Sequence, residues 1–157
     1  MIKKIISGGQ TGADQAALDV AIKLNIPHGG WIQKGRKTEE GPLPDQYLLQ
    51  EMPTASYPKR TEQNIFHSDG TLIFSHGKLT GGSKLTRDLA AKKNRPSLHV
   101  DLKLNSVGYT VRLIQEWLHD NGIKTLNVAG PRASGDPAIY GAVVKVLELV
   151  FKDRKLS

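Results

Sequence analysis

Lys3-Lys4-Ile5-Ile6-Ser7-Gly8-Gly9-Gln10-Thr11-Gly12-Ala13-Asp14 is the stretch that decides the fold. Lys3 to Ser7 has the apolar, β-branched character of a strand, and Gly8 to Gly12 is a glycine-rich turn. From Asp14 to Leu24 the apolar residues Ala17, Leu18, Ala21, Ile22 and Leu24 fall on one helical face, and Asn25 and Pro27 end it. Glycines in such a turn let backbone approach a ligand closely, while the helix that follows directs free N–H groups at it.

The same order recurs outward along the chain. Ile26 to Ile32 is expected to hold a second strand. Thr71-Leu72-Ile73-Phe74-Ser75 is a clearer one, followed by Gly77, Gly81 and Gly82 and a helix around Lys84 to Lys93. Leu98 and Val100 mark the next strand. Val107, Val111, Ile114 and Leu118 are spaced as an amphipathic helix that Gly122 can terminate. Thr125 to Ala129 is the last strand. Asp136-Pro137 predicts a capped helix start ahead of Val143, Val146, Leu147 and Val150. Strands alternating with helices predict a Rossmann-like three-layer α/β/α sandwich with a mainly parallel sheet, in a single domain over residues 1–157. One segment breaks the rhythm. Residues 33–58 contain Pro42, Pro44, Pro53 and Pro58 with little periodicity and are expected to form a long irregular loop.

Composition narrows the function. With 157 residues, 38% hydrophobic and 24% charged, the chain can build an ordinary core. No apolar run approaches the ~20 residues of a membrane span, and the apolar part of Met1 to Ser7 is too short for a signal peptide, so a cytoplasmic location is expected. The absence of cysteine removes disulfides, thiolate metal sites and a catalytic thiol. His28, His67, His76, His99 and His119 show no metal-binding spacing, so no protein-ligated metal is expected. A net charge of +7 and a pI near 9.7 favour anionic partners such as nucleotides or phosphorylated small molecules. Aromatics at 6% are too sparse for a single-strand stacking platform.

Open parallel sheets bind ligands beyond the carboxyl ends of their strands. Three glycine-bearing turns are predicted on that rim: Gly8, Gly9, Gln10, Thr11 and Gly12 with Asp14; Gly81, Gly82 and Ser83 with Thr86; and Gly130, Pro131 and Arg132 with Ser134. Arg132 supplies a fork of donors suited to phosphate or carboxylate. Arg60, Asn64 and Ser68 share a helical face next to Asp69, either as a polar clamp on the first turn or as a solvated surface. Neither G-x-x-x-x-G-K-[ST] nor G-x-G-x-x-G occurs, which disfavours a nucleoside triphosphatase or an ordinary dehydrogenase. No G-x-S-x-G elbow anchors a hydrolase triad.

These motifs resemble the molybdenum carrier family of small bacterial proteins. The likeness runs from Gly8–Asp14 through His28-Gly29-Gly30-Trp31, Lys34-Gly35-Arg36, Glu40-Gly41-Pro42 and Arg60-Thr61 to Ser68-Asp69-Gly70. It continues with Thr80-Gly81-Gly82-Ser83 and ends at Ala129-Gly130-Pro131-Arg132-Ala133-Ser134 with Tyr140. The family's name rests on similarity to algal carriers that bind molybdenum cofactor and pass it on. The resemblance implies a Rossmann-like binding or carrier protein, more a carrier than an enzyme. It further implies molybdopterin-type cargo, a molybdoenzyme acceptor and a homo-oligomer. The wider lysine-decarboxylase-like and DNA-processing-protein-like group adds two alternatives, a phosphoribohydrolase-like enzyme and single-stranded nucleic-acid binding, the latter disfavoured by the few aromatics. The phosphoribohydrolases carry P-G-G-x-G-T-x-x-E. Here Thr80 to Asp88 keeps the glycine pair but has no Glu in that place, and Asp88 has a shorter reach.

Overall fold

Lys4–Ser7 (β1) forms the strand read from the opening motif, and Ala13–Lys23 (α1) the helix after it. The computed structural model describes residues 1–152. The remaining elements are His28–Gly29 (β2), Trp31–Ile32 (β3), Lys37–Thr38 (β4), Gly41–Pro42 (β5), Gln50–Glu51 (β6), Tyr57–Phe66 (α2) and Gly70–Ser75 (β7). Gly81–Lys92 (α3), Ser97–Asp101 (β8), Val107–Asp120 (α4), Thr125–Ala129 (β9) and Ile139–Phe151 (α5) complete the order.

Five strands form one sheet in the order β2-β1-β9-β7-β8, and every pairing in it is parallel. The register sets Ile5 beside Leu126 and Leu72 beside both Val128 and Leu98. All six residues of β7 are buried, as an interior strand covered on both faces requires. Helices α1, α4 and α5 pack together over one face, where Ala17, Val20, Ile114, Val143 and Leu147 meet Ile5, Leu72, Phe74 and Leu126. Helices α2 and α3 pack against each other, with α3 on β7 and β8. The sandwich is therefore three-layered and Rossmann-like. Among the described residues no helix is long and apolar enough to cross a membrane.

Three expectations need correction. The strand expected over Ile26 to Ile32 is split: β2 pairs with β1, whereas β3 pairs with β6 in a separate two-stranded sheet. Gly30 is the break, with φ of 127° and a backbone so close to β1 that a Cβ would lie 2.1 Å from the Ser7 carbonyl oxygen. The segment 33–58 is not irregular throughout. It carries β4, β5 and β6, and α2 begins within it at Tyr57; Leu43, Tyr47 and Leu49 make a second small core with Ile32 and Leu18 of α1. The last helix starts at Ile139 instead of Pro137, because Asp136 and Pro137 belong to the preceding turn.

The topology places a crevice. Strands β9 and β7 are neighbours, yet β9 leads to α5 on one face and β7 to α3 on the other. The chain thus leaves their carboxyl ends in opposite directions, as at a topological switch point.

Candidate functional site

At that point lies a cleft of about 340 Å³. Ser75, His76 and Lys78 to Ser83 form one wall, Gly130 to Arg132 with Gly135 and Asp136 the other, and Gln10, Asp14 and Tyr57 close the end. Volumes of this order suit small-molecule ligands. A further space of about 260 Å³ opens beside it under Lys37, Thr38 and Glu39, sharing Gln10, Tyr57 and Arg132 with the main cleft.

The three predicted turns do converge, but in unequal roles. In the first, most amides are already bonded. Gly9 N–H donates to Ser7 Oγ, Gln10 N–H to Asp14 Oδ2, Thr11 N–H to Gln10 Oε1, and Ala13 N–H to the Pro131 carbonyl. Thr11 is buried; its hydroxyl donates to Glu39 and accepts from Ala133 N–H. Gly9 faces Ile32, Leu43 and Leu49, and Gly12 abuts Pro131 to Ala133. This turn is a structural knot that delivers Gln10 and Asp14 to the cleft, a correction to its expected part as an open amide cradle.

The second turn is the open one. Helix α3 starts at Gly81 behind Thr80, which makes no side-chain capping bond. The amides of Gly81, Gly82 and Ser83 have no intrahelical acceptor and sit on the cleft wall, where the helix dipole favours an anion. Thr86 is buried and spends its hydroxyl on the Gly82 carbonyl. In the third turn Ser134 N–H and its hydroxyl are both taken by the Glu39 carboxylate. Gly135 and Asp136 N–H return to the Arg132 carbonyl. Gly130, Pro131 and Arg132 line the cleft. The Arg132 guanidinium has no hydrogen bond or ion pair among the described residues, and Lys78 lies on the same cleft.

Beneath the first turn, Arg60 reaches from α2 to Asp14, Nη1 to Oδ2 at 3.4 Å, with side chains only 5% and 9% exposed. Its guanidinium lies over the Tyr57 ring at 4.6 Å, and its Nε is buried without a partner. Gly8 makes the pair possible, since any Cβ there would fall 1.1 Å from Nη1. Burial pushes the Asp14 carboxyl above its ordinary value, against the opposing pull of Arg60 and the Gln10 amide. The hydroxyls of Ser134 and Thr11 hold Glu39 below the usual carboxylate range.

The clamp expected of Arg60, Asn64, Ser68 and Asp69 forms only in part, since Arg60 and Asn64 line a small space with Gly8 and Asp14 while Ser68 and Asp69 do not. Arg60 meets the first turn. Asn64 brackets the Trp31 backbone, accepting its N–H and donating to its carbonyl. Ser68 lies past the end of α2 and donates to the Ile65 carbonyl. Asp69 precedes β7, at the amino end of the sheet, and accepts from Lys124 and Thr125 N–H, so it is not brought to the cleft. Asp88 is exposed on α3 beside Arg87, also away from the cleft lining.

Sequence reading missed Tyr57, Ser75, His76, Lys78 and Asp136. Ser75 Oγ meets the Gly77 carbonyl and His99 Nε2, and burial lowers the His99 imidazole despite Asp101 nearby. His76 Nδ1 lies 2.7 Å from Asp136 Oδ2. The available signal was position: His76 is the first residue after β7. No group of three or more His, Cys, Asp or Glu side chains is gathered for a metal among the described residues.

Residues 5–151 match the family described as circularly permutated YpsA SLOG. The chain belongs to that family. A crystal structure from Syntrophus aciditrophicus SB, named "putative molybdenum carrier protein", is 56% identical. It superposes with a TM-score of 0.94 over 95% of this chain and 94% of its own. No curated protein matches. Membership of the SLOG family and the Syntrophus likeness bear out the resemblance and the Rossmann-like fold read from the sequence.

Proposed function

We propose that this SLOG protein is a carrier that holds a phosphorylated pterin- or nucleotide-like molecule in the cleft between β7 and β9, with molybdenum cofactor as cargo. The observation that carries the reading is the pairing of two unspent donor sets on one cleft. The uncapped amides of Gly81, Gly82 and Ser83 face it, and so does the unpartnered Arg132 guanidinium. Together they suit a phosphate group, the amides through the helix end and the arginine through its planar fork. Lys78 adds charge at the mouth. Arg60 serves indirectly, holding Asp14 and the first turn in place. The 56% identity to the Syntrophus protein supports a molybdenum-related cargo, and molybdopterin brings its own sulfurs to the metal.

Titration calorimetry with purified molybdenum cofactor, with orthophosphate and AMP as simpler probes, tests this. Saturable binding that Arg132→Ala weakens is expected. Absence of binding for all three at high micromolar protein refutes it. Mass spectrometry of whatever co-purifies identifies the cargo independently.

A further inference from the structure

One pair of side chains in the cleft has no part in gripping a phosphate. His76 follows β7 and Asp136 precedes α5, and Nδ1 and Oδ2 meet at 2.7 Å. The Asp136 carboxylate is fixed at both ends, since Oδ1 accepts the Ala138 N–H at 3.2 Å. An ionised carboxylate offers only acceptors, so the bonded Nδ1 carries the hydrogen and a neutral ring keeps its lone pair on Nε2. Nε2 has no hydrogen bond among the described residues. The ring is 27% exposed and lines the same cleft as Arg132 and the α3 amides. An imidazole whose tautomer is set by a carboxylate, with its other nitrogen unbonded and the ring partly exposed beside an anion cradle, is equipped to move a proton.

We propose that His76 is a general base, positioned by Asp136, with which the cleft hydrolyses a phosphate monoester of a small molecule. This rests on the phosphate site proposed above. In the step, Nε2 takes a proton from water as the water oxygen bonds to phosphorus. The phosphorus–oxygen bond to the alcohol breaks, and its electron pair stays on the alcohol oxygen. That oxygen takes a proton from solvent on the far side of the phosphoryl group, and Nε2 returns its own proton to solvent. Ester and water become alcohol and orthophosphate, and the imidazole is neutral again. Arg132 and the amides of Gly82 and Ser83 face the phosphoryl oxygens, where their charge counts most as the bond breaks.

The test follows orthophosphate release from p-nitrophenyl phosphate and AMP, with calorimetry of orthophosphate binding on the same preparations. Wild-type protein should release phosphate. Asp136→Asn keeps the Ala138 cap through the amide carbonyl but presents N–H to His76, which moves the ring hydrogen to Nε2. Asp136→Asn and His76→Ala should each lower kcat about 100-fold or more with KM little changed, the range a general base contributes. Free imidazole should restore part of the His76→Ala rate and none of the Asp136→Asn rate. Either variant alone suffices if the other fails to fold. Equal rates in wild type and variants would mean that the pair only fastens the loop, and the proposal falls. No release by wild type that still binds orthophosphate also overturns hydrolysis while the binding reading stands; loss of both removes both.

Discussion

Gly8→Ala is a one-carbon change whose effect should reach far beyond its size. Gly8 is not among the residues with positive φ, so alanine brings no backbone strain there. The cost is steric. The new Cβ would lie 1.1 Å from Arg60 Nη1 and 2.4 Å from Cζ, whereas ordinary contact is about 3.5–4 Å, so the guanidinium must retreat by more than about 2 Å. At 3.4 Å the bond to Asp14 is already long, and that retreat ends it. Asp14 then remains buried without its cation. Breaking a buried pair from one side costs about 3–5 kcal/mol. Urea unfolding followed by tryptophan fluorescence should show a loss in this range for Gly8→Ala and a similar one for Arg60→Ala. The double variant should be hardly worse than Arg60→Ala, since the clash has gone, giving a coupling of about 3–5 kcal/mol, the whole of the Gly8→Ala loss. Additive losses, or a Gly8→Ala cost under about 1 kcal/mol, would refute the view that the missing Cβ exists to seat Arg60.

Arg132→Ala should weaken binding of orthophosphate about 10- to 100-fold in calorimetry, the worth of a charged hydrogen bond, while the urea midpoint moves little because the side chain makes no hydrogen bond or ion pair among the described residues. The two carboxylates near Arg132 should shift stability in opposite directions with pH. Asp14 is raised from 3.8 by burial, so its contribution is full below that value and drains as pH rises through the folded one; wild type should therefore gain on Asp14→Asn as pH falls toward 3.8. Glu39 is lowered from 4.5 by its hydroxyl donors, so its contribution is present above that value and lost as pH falls through the folded one; wild type should lose ground to Glu39→Gln in acid. Urea midpoints across pH check both signs. Asp69→Ala should cost about 1 kcal/mol by orphaning two amides, yet leave ligand binding intact.

The parts of the fold that local pattern dictates were legible. Strand, glycine turn and helix at Lys3–Leu24 announced β1 and α1, and alternation along the chain announced the parallel sheet. Strand order was not, because nothing local to Thr125–Ala129 says that it inserts between β1 and β7. The same non-local step divided the site prediction. Gly81, Gly82, Ser83 and Arg132 reach the cleft because their turns follow strand carboxyl ends, as composition and alternation implied. Asp69 failed because it sits one residue before a strand, which puts it at the opposite end of the sheet. Whether an amide is free cannot be read from glycine spacing. The first turn has more glycines than the second, but Ser7, Gln10, Asp14 and the Pro131 carbonyl consume its donors. His76 was passed over for a related reason: its partner Asp136 is sixty residues away and follows a different strand.

The insertion between β2 and α2 lines the space beside the cleft and is tied to two of its turns. Glu39, beyond β4, accepts from the Thr11 hydroxyl and from both the N–H and hydroxyl of Ser134, while its own N–H donates to Gln10 Oε1. Four hydrogen bonds thus tie one residue of the insertion to the first and third turns together. Its carboxylate takes both Ser134 donors of the third turn, and its charge, like that of Asp14, acts on Arg132. The open amides of α3 lie on the opposite wall and feel no such competitor. On the proposed reading, an anionic group would be directed to the α3 side, with Arg132 between it and two fixed carboxylates. The insertion, held down by Leu43, Tyr47 and Leu49 on α1, sets that balance by where it places a single glutamate.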